Sequence, residues 1–266
     1  MSDFSNQVVC ITGAGSGIGQ QSTLRFAEAG ASIVAADLNS EGLQETARLV
    51  AEAGAAIETV TADTSDPEQV KALVDKCLSA FGGLDVFFAN AGVAGPIAPL
   101  NQNADKDIAR VIEVNILGPL YAVKYAGPVM ATRGKGAIVL TASVAGIAAN
   151  AGPVTYSASK AAVISLAKTA AQELAGSGVR VNAICPGLTE TGMTKPIFDH
   201  AEKNNSTHKL GQLNPSRRAG NTDDIANNVL FLASDKAAYV NGHALVIDGG
   251  LSTSMPYVPA YGLVMA

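Results

Sequence analysis

Short β-branched runs alternate with longer amphipathic stretches from one end of this chain to the other, and no other feature constrains the fold as much. The strand-type runs are Val8–Thr12, Ser32–Asp37, Ile57–Ala62, Leu84–Ala89, Ala137–Ala142, Val179–Ile184 and Ala244–Ile247. Helical periodicity fills the intervals at Gly17–Gly30, Glu41–Ala53, Pro67–Phe81, Asp105–Ala126, Val154–Gly176 and Asp223–Ala233. Alternation of this kind implies parallel strands joined by right-handed crossovers, with helices on both faces. The expected class is therefore α/β, a doubly wound sheet of seven parallel strands. No low-complexity linker interrupts the rhythm, so residues 1–266 read as one domain. Leu188–Arg218 departs from it, being polar, Pro-punctuated and weakly periodic. A long irregular insert in a compact domain is more often a lid or binding loop than filler. Leu251–Ala266 forms an apolar tail, which predicts packing on a neighbouring subunit.

Composition excludes several functions. Hydrophobic residues make up 48% of the 266, enough for a large core, and charged residues only 15%, too few for a disordered chain. The net charge of −5 comes with acids and bases mixed along the sequence, which argues against nucleic-acid binding. No apolar run approaches the ~18 residues of a membrane span. Seven residues precede Val8, too few for a signal peptide, so a soluble cytoplasmic protein is expected. Cys10, Cys77 and Cys185 are far apart and lie in or beside apolar segments, which predicts buried small hydrophobes. His200, His208 and His243 have no metal-ligand spacing, and no metal is assigned.

The first strand runs into Thr12-Gly13-Ala14-Gly15-Ser16-Gly17-Ile18-Gly19 and then a helix. Glycines there let the backbone turn sharply and bring N–H groups at a helix N-terminus against a pyrophosphate, as in a Rossmann-like domain. The spacing is G-x-x-x-G-x-G, from Gly13, Gly17 and Gly19. Asp37 ends the second strand, where an acid can bond the adenosine ribose hydroxyls and repel a 2′-phosphate. Neither Ser16 nor Leu38 is basic, so the expected cofactor is NAD.

Tyr156 and Lys160 stand four apart on a helix, hence on one face. A proton acceptor for an alcohol is needed near neutral pH, whereas a free tyrosine has a pKa of about 10. Shifting it by roughly three units takes about 4 kcal/mol. A cation at ~4 Å and an effective dielectric near 20 supplies about that much. Ser143 follows the apolar strand Ala137–Ala142, at the end where α/β sheets bind ligands, and its hydroxyl could hold the substrate oxygen.

In these motifs the chain resembles the short-chain dehydrogenase/reductase family, in its compact branch, from Val8 to Gly250. Thr12–Gly19 matches the family's glycine turn, and Asp63 the acid that contacts adenine, with Thr64 where valine or leucine is commoner. Asn90-Ala91-Gly92 matches the motif beside the cofactor. Asn115 falls on the helix asparagine that holds a water linking the lysine to solvent. Ser143, Tyr156 and Lys160 fall on the catalytic serine, tyrosine and lysine, with Lys160 also reaching the ribose hydroxyls. Pro186-Gly187 with Thr191 matches the segment that binds the carboxamide, and Thr189 stands there where Ile or Val is preferred. The resemblance implies strand order 3-2-1-4-5-6-7, usually a homotetramer, and hydride transfer between NAD and a secondary alcohol or ketone. Small residues on the helix Val154–Gly176 (Ala158, Ala161, Ala162, Ala167, Ala170, Ala171) suit packing on a partner helix or within the subunit.

Two other readings use the same residues. A nucleotide-sugar epimerase of the extended branch would carry a sizeable C-terminal substrate domain. A non-catalytic dinucleotide sensor would be expected to lose Asn115, Ser143, Tyr156 or Lys160, and all four are present. The expected pocket walls are Val93–Pro96, Val144–Ala145, Asn150–Pro153 and Met193–Phe198. Small and apolar groups there favour an uncharged alcohol or ketone.

Overall fold

Every side chain of strand β1 (Val8–Thr12) is buried, as a strand at the centre of a sheet requires. A computed structural model describes residues 4–254. In it β1 is followed by α1 (Gly17–Glu28), β2 (Ser32–Asp37), α2 (Ser40–Glu52), β3 (Ile57–Thr61), α3 (Pro67–Phe81) and β4 (Val86–Ala89). Next come α4 (Asp105–Ile112), α5 (Gly118–Thr132), β5 (Gly136–Thr141), α6 (Val154–Glu173) and β6 (Val179–Pro186). The described chain ends with α7 (Lys195–Lys203), α8 (Thr222–Ala233) and β7 (Ala244–Ile247). The seven strands are all parallel and lie in the order β3-β2-β1-β4-β5-β6-β7. The order reverses between β1 and β4, which opens a crevice at their carboxyl ends.

Alternate strand residues feed two separate cores. Cys10, Val34, Phe87, Ile138 and Val181 face one side, against α3, α5 and α6. Val9, Ile33, Val86, Phe88 and Val139 face the other, against Phe26, Val50 and Val229 of α1, α2 and α8. Helices thus cover both faces. Cys10, Cys77 and Cys185 are buried, unpaired and part of the first core, as expected.

Two segments differ from the sequence-based expectation. The stretch Asp105–Ala126 is not one helix: a π-helical turn over Glu113–Leu117 separates α4 from α5. Its extra residue per turn swings Asn115 inward, where it is fully buried. Leu188–Arg218 is less irregular than its polar sequence suggested. It contains α7, which begins beside Pro196, carries a Lys195–Asp199 pair and buries only Ala201. A helix that hides one residue leaves almost no periodic signal.

On α6 the small residues divide. Ala167, Ala170 and Ala171 are buried against the sheet, whereas Ala158 and Ala161 are exposed. Of the apolar tail, Leu251–Thr253 forms a short 3₁₀ turn; residues 255–266, which carry the expected subunit packing, lie outside the described residues.

Candidate active site

A cleft of about 670 Å³ lies at the carboxyl ends of the strands, at the point where strand order reverses. Gly13, Ser16, Gly17 and Ile18 line one end of it. Gly13 has φ +67°, and a Cβ there would come within 2.8 Å of Asn90 Nδ2. A Cβ on Gly19 would run into the Gly13 carbonyl, so Gly19 sits behind the turn and lets it close; it does not line the cleft. Ser16 caps α1 without a side-chain hydrogen bond to the helix. The first N–H groups of α1 are therefore left for a ligand, and the helix dipole favours an anion there.

Asp37 lines the cleft, and its carboxylate also holds the turn together. One oxygen accepts the Gly15 N–H at 2.9 Å and the other the Asn39 N–H at 2.9 Å. Asp63 lies further along the same wall, beside the buried Thr64. It accepts the Ser65 N–H and hydroxyl at 2.9 and 2.7 Å and pairs with Arg110 at 3.0 Å. Burial would raise its pKa, but those bonds together hold the carboxyl below its ordinary range.

Asn90 ties three strands at their tips. Its Nδ2 donates to the carbonyls of Thr12 and Gly13, and its Oδ1 accepts the Thr141 hydroxyl. The backbone N–H groups of Asn90 and Ala91 both donate to Thr12 Oγ1. The floor on which β1, β4 and β5 meet is fixed by these bonds.

Ser143, Tyr156 and Lys160 converge on the same cleft. Ser143 begins a 3₁₀ turn after β5, where its Oγ accepts the Ala145 N–H at 3.1 Å. Lys160 is buried and donates from Nζ to the Thr141 carbonyl at 2.7 Å, 5.6 Å from the centre of the Tyr156 ring. Burial lowers its pKa to about 8, so it still carries its charge at neutral pH for most of the time. Tyr156 does not follow the simple expectation of a phenol acidified by its neighbour. Burial raises its pKa above the ordinary value, and its hydrogen bond with Ser143 offsets only part of that. The ammonium stands too far off, and is too occupied with Thr141, to reverse the sign.

Asn115 is close to this group but is spent on structure. Its Oδ1 accepts the Val93 N–H at 2.8 Å, while Nδ2 donates to the Val93 carbonyl at 2.9 Å and to Ser159 Oγ at 3.0 Å. No hydrogen bond joins its side chain to Lys160 among the described residues. Thr189 and Thr191 line the far rim, organised by Thr194. The Thr194 hydroxyl donates to the Thr189 carbonyl at 2.5 Å and accepts the Thr191 N–H at 3.0 Å. Of the expected pocket walls, Val93–Gly95 and Met193–Thr194 border the cleft. Val144 and Ala145 lie buried and do not border it, and Gly152 packs on the Tyr156 ring, where a Cβ would meet Cδ1 at 2.9 Å. Sequence reasoning missed Thr12, Thr141, Thr194 and Arg110. Only Thr12, as the first residue of the glycine motif, carried a signal that could have flagged it.

Comparison with known proteins agrees with this geometry. A family model described as enoyl-(acyl carrier protein) reductase matches residues 13–252. The chain is 37% identical to the 3β-hydroxysteroid dehydrogenase 2 of Eggerthella lenta over 250 residues, 94% of this chain and 96% of that one. The chain belongs to the short-chain dehydrogenase/reductase family. Solved members of the family superpose closely. Levodione reductase matches with a TM-score of 0.90 at 36% identity, covering 95% of this chain and all of that one. An NAD⁺-bound xylitol dehydrogenase matches with a TM-score of 0.87 at 34% identity, covering 93% and 99%. The family binds a nicotinamide dinucleotide, and the glycine turn, the unspent N-terminus of α1 and Asp37 form a cradle suited to one.

Proposed function

We propose that this dehydrogenase/reductase interconverts an uncharged secondary alcohol and its ketone, with NAD as cofactor and Tyr156 as the general acid/base. The observation that carries the reading is the convergence of Ser143, Tyr156 and Lys160 on one cleft with the glycine turn and Asp37. Gly13, Ser16, Gly17, Ile18, Asp37, Asp63, Thr64, Asn90, Thr189 and Thr191 would hold the dinucleotide, with Gly19 packed behind the turn. The bound nicotinamide supplies or takes up the hydride. Ser143 donates a hydrogen bond from its hydroxyl to the substrate oxygen, keeping its proton, and holds that oxygen beside Tyr156. Tyr156 then takes the alcohol proton during oxidation, or gives one to the ketone oxygen during reduction. Lys160 keeps a positive charge near the phenol and reaches toward the ribose hydroxyls, while Thr141 fixes its head. Asn115 clamps the Val93 backbone, which borders the substrate end of the cleft, and so acts as a positioning residue.

An uncharged substrate is favoured by the lining. Val93, Ala94, Gly95 and Met193 are small or apolar, and the cleft's charged side chains are Asp37, Asp63, Arg110 and Lys160. Of the two cations, Lys160 is buried and Arg110 is neutralised by Asp63. Relatives named 3β-hydroxysteroid dehydrogenase 2 and levodione reductase are named for an alcohol and a ketone substrate, which fits such walls. The same reading takes the chain to be one catalytic domain with a mobile lid at residues 188–218. It further takes it to be a cytoplasmic homotetramer, the exposed Ala158 and Ala161 of α6 suiting close helix packing. No described helix is long and apolar enough to cross a membrane.

Absorbance at 340 nm, followed with NAD and NADP against a panel of cyclic and open-chain secondary alcohols, tests the reading. Turnover with NAD is expected. Absence of turnover with every alcohol and ketone, in a protein that binds NAD, would instead favour a dinucleotide sensor.

A further inference from the structure

The connection from β5 to α6 meets the Tyr156 ring at a glycine. Residues 147–153 link the 3₁₀ turn at Val144–Gly146 to α6, and Gly152, half-buried, packs on that ring. A Cβ built on Gly152 would come within 2.9 Å of Tyr156 Cδ1, 3.3 Å of Ala145 Cβ and 3.5 Å of Tyr156 Cε1. Real Cβ atoms essentially never approach a neighbour below 3.0 Å. The backbone itself does not call for glycine here: unlike Gly13 and Gly95, Gly152 lies outside the left-handed region. It is the phenol ring that excludes a side chain. Nor is Gly152 free to recede. Its carbonyl accepts the Ser157 hydroxyl at 3.2 Å, and the Ser157 N–H donates to the Pro153 carbonyl at 2.8 Å, which ties the loop to the first turn of α6.

We propose that Gly152 is a positioning residue, a spacer whose missing side chain sets the Tyr156 ring against the Ser143 turn. The inference rests on the proposed role of Tyr156 as the group that moves the proton. Ala145, the other residue packed on Gly152, donates its N–H to Ser143 Oγ at 3.1 Å. Gly152 therefore packs at once on the proton carrier and on the turn that presents the substrate oxygen. A methyl group at position 152 has to displace the ring, the loop or Ala145. Proton transfer needs its two heavy atoms within about 2.6–3.2 Å, and a misplacement of about 1 Å can cost about a hundredfold in rate. A small shift at a residue with no chemistry of its own is thus felt as lost turnover. The three atoms nearest to such a methyl group all belong to Tyr156 and Ala145, so the glycine turn and Asp37 are spared.

Kinetics and cofactor titration together separate this role from simple support of the loop. Wild type, Gly152→Ala, Ala145→Gly and the double variant are compared on the secondary alcohol that wild type oxidises fastest, and each is titrated with NAD. Gly152→Ala is expected to lower kcat by about tenfold, equivalent to ~1.4 kcal/mol of barrier, with the Kd for NAD within about twofold of wild type. Ala145→Gly removes the second contact and gives the new methyl group room to move off the ring. The double variant should therefore recover more than half of the kcat that Gly152→Ala loses. A kcat for Gly152→Ala within about twofold of wild type would overturn the inference and leave the proposed function intact. So would a parallel fall in kcat and NAD affinity, or a double variant that recovers nothing. A wild type that oxidises no alcohol and reduces no ketone would overturn both.

Discussion

The glycine turn and the segment 188–218 face each other across one cleft, yet they are built on opposite principles. Around the turn the polar groups at the strand ends hold one another: Asp37 holds Gly15, Asn90 holds Thr12 and Gly13, and Thr12 holds Asn90 and Ala91. Across the cleft the chain is held by few buried side chains. Met193, Ile197 and Leu213 are exposed, and α7 buries only Ala201. Burial and interlocked hydrogen bonds give a site one shape; exposed apolar groups on short elements leave a surface that can close in several ways. The rigid side suits the part of the chemistry that does not vary with substrate. The loosely anchored side suits the part that does.

Matched substitutions on the two sides expose this difference most strongly. Gly19→Ala puts a methyl group into the Gly13 carbonyl, whereas at Gly192 an added Cβ meets nothing within 4 Å. Gly19→Ala is expected to weaken NAD binding by roughly a hundredfold or more, ~2.7 kcal/mol, with the circular dichroism spectrum preserved. Gly192→Ala should leave it within about twofold. Comparable losses at both positions, measured by titration, would erase the contrast.

Cofactor choice probes the rigid side alone. Charge-assisted hydrogen bonds from ribose hydroxyls to Asp37 would each contribute about 1.5–3 kcal/mol, and a 2′-phosphate would meet a carboxylate instead. Wild type should prefer NAD by roughly a hundredfold or more in kcat/KM. Asp37→Ser with Leu38→Arg should narrow or invert that ratio. Because Asp37 also holds Gly15 and Asn39, the double variant should melt at a lower temperature as well. A wild type favouring NADP would contradict the reading of β2.

A smaller effect is expected from the segment 188–218. Amide exchange across 188–218 should slow several-fold when NAD and a ketone inhibitor bind together, while β1 and β4, already protected, change little. Equal exchange with and without ligands would remove the lid from the account.

Most of this site is legible in the amino-acid sequence. Ser143, Tyr156 and Lys160 are legible because a strand end and a helical repeat of four place them, and both are local patterns. The alternation implies parallel strands, and the family resemblance implies their order. What stayed hidden depends on contacts between distant residues or on backbone detail. The Asp37–Gly15 bond spans 22 positions, and the Arg110–Ser65 bond spans 45. The π turn that buries Asn115 leaves the apolar pattern of α4 and α5 almost unchanged, so a single helix is the natural reading. The raised pKa of Tyr156 was hidden for another reason. Spacing brings a cation near, but only the packed structure shows that burial outweighs it and that Lys160 is turned to Thr141.

That last point sharpens the role claimed for Tyr156. Oxidation needs its phenolate, so the rate of alcohol oxidation should rise with pH, and ketone reduction, which needs the protonated phenol, should fall as pH rises. The most direct test is Tyr156→Phe, assayed for turnover across pH 6–10 and for NAD affinity in parallel. The account predicts a fall in turnover of ~10²–10⁴ or more, loss of the pH-dependent step and an NAD affinity nearly unchanged. Turnover within about threefold of wild type, with the pH profile intact, would show that another group moves the proton.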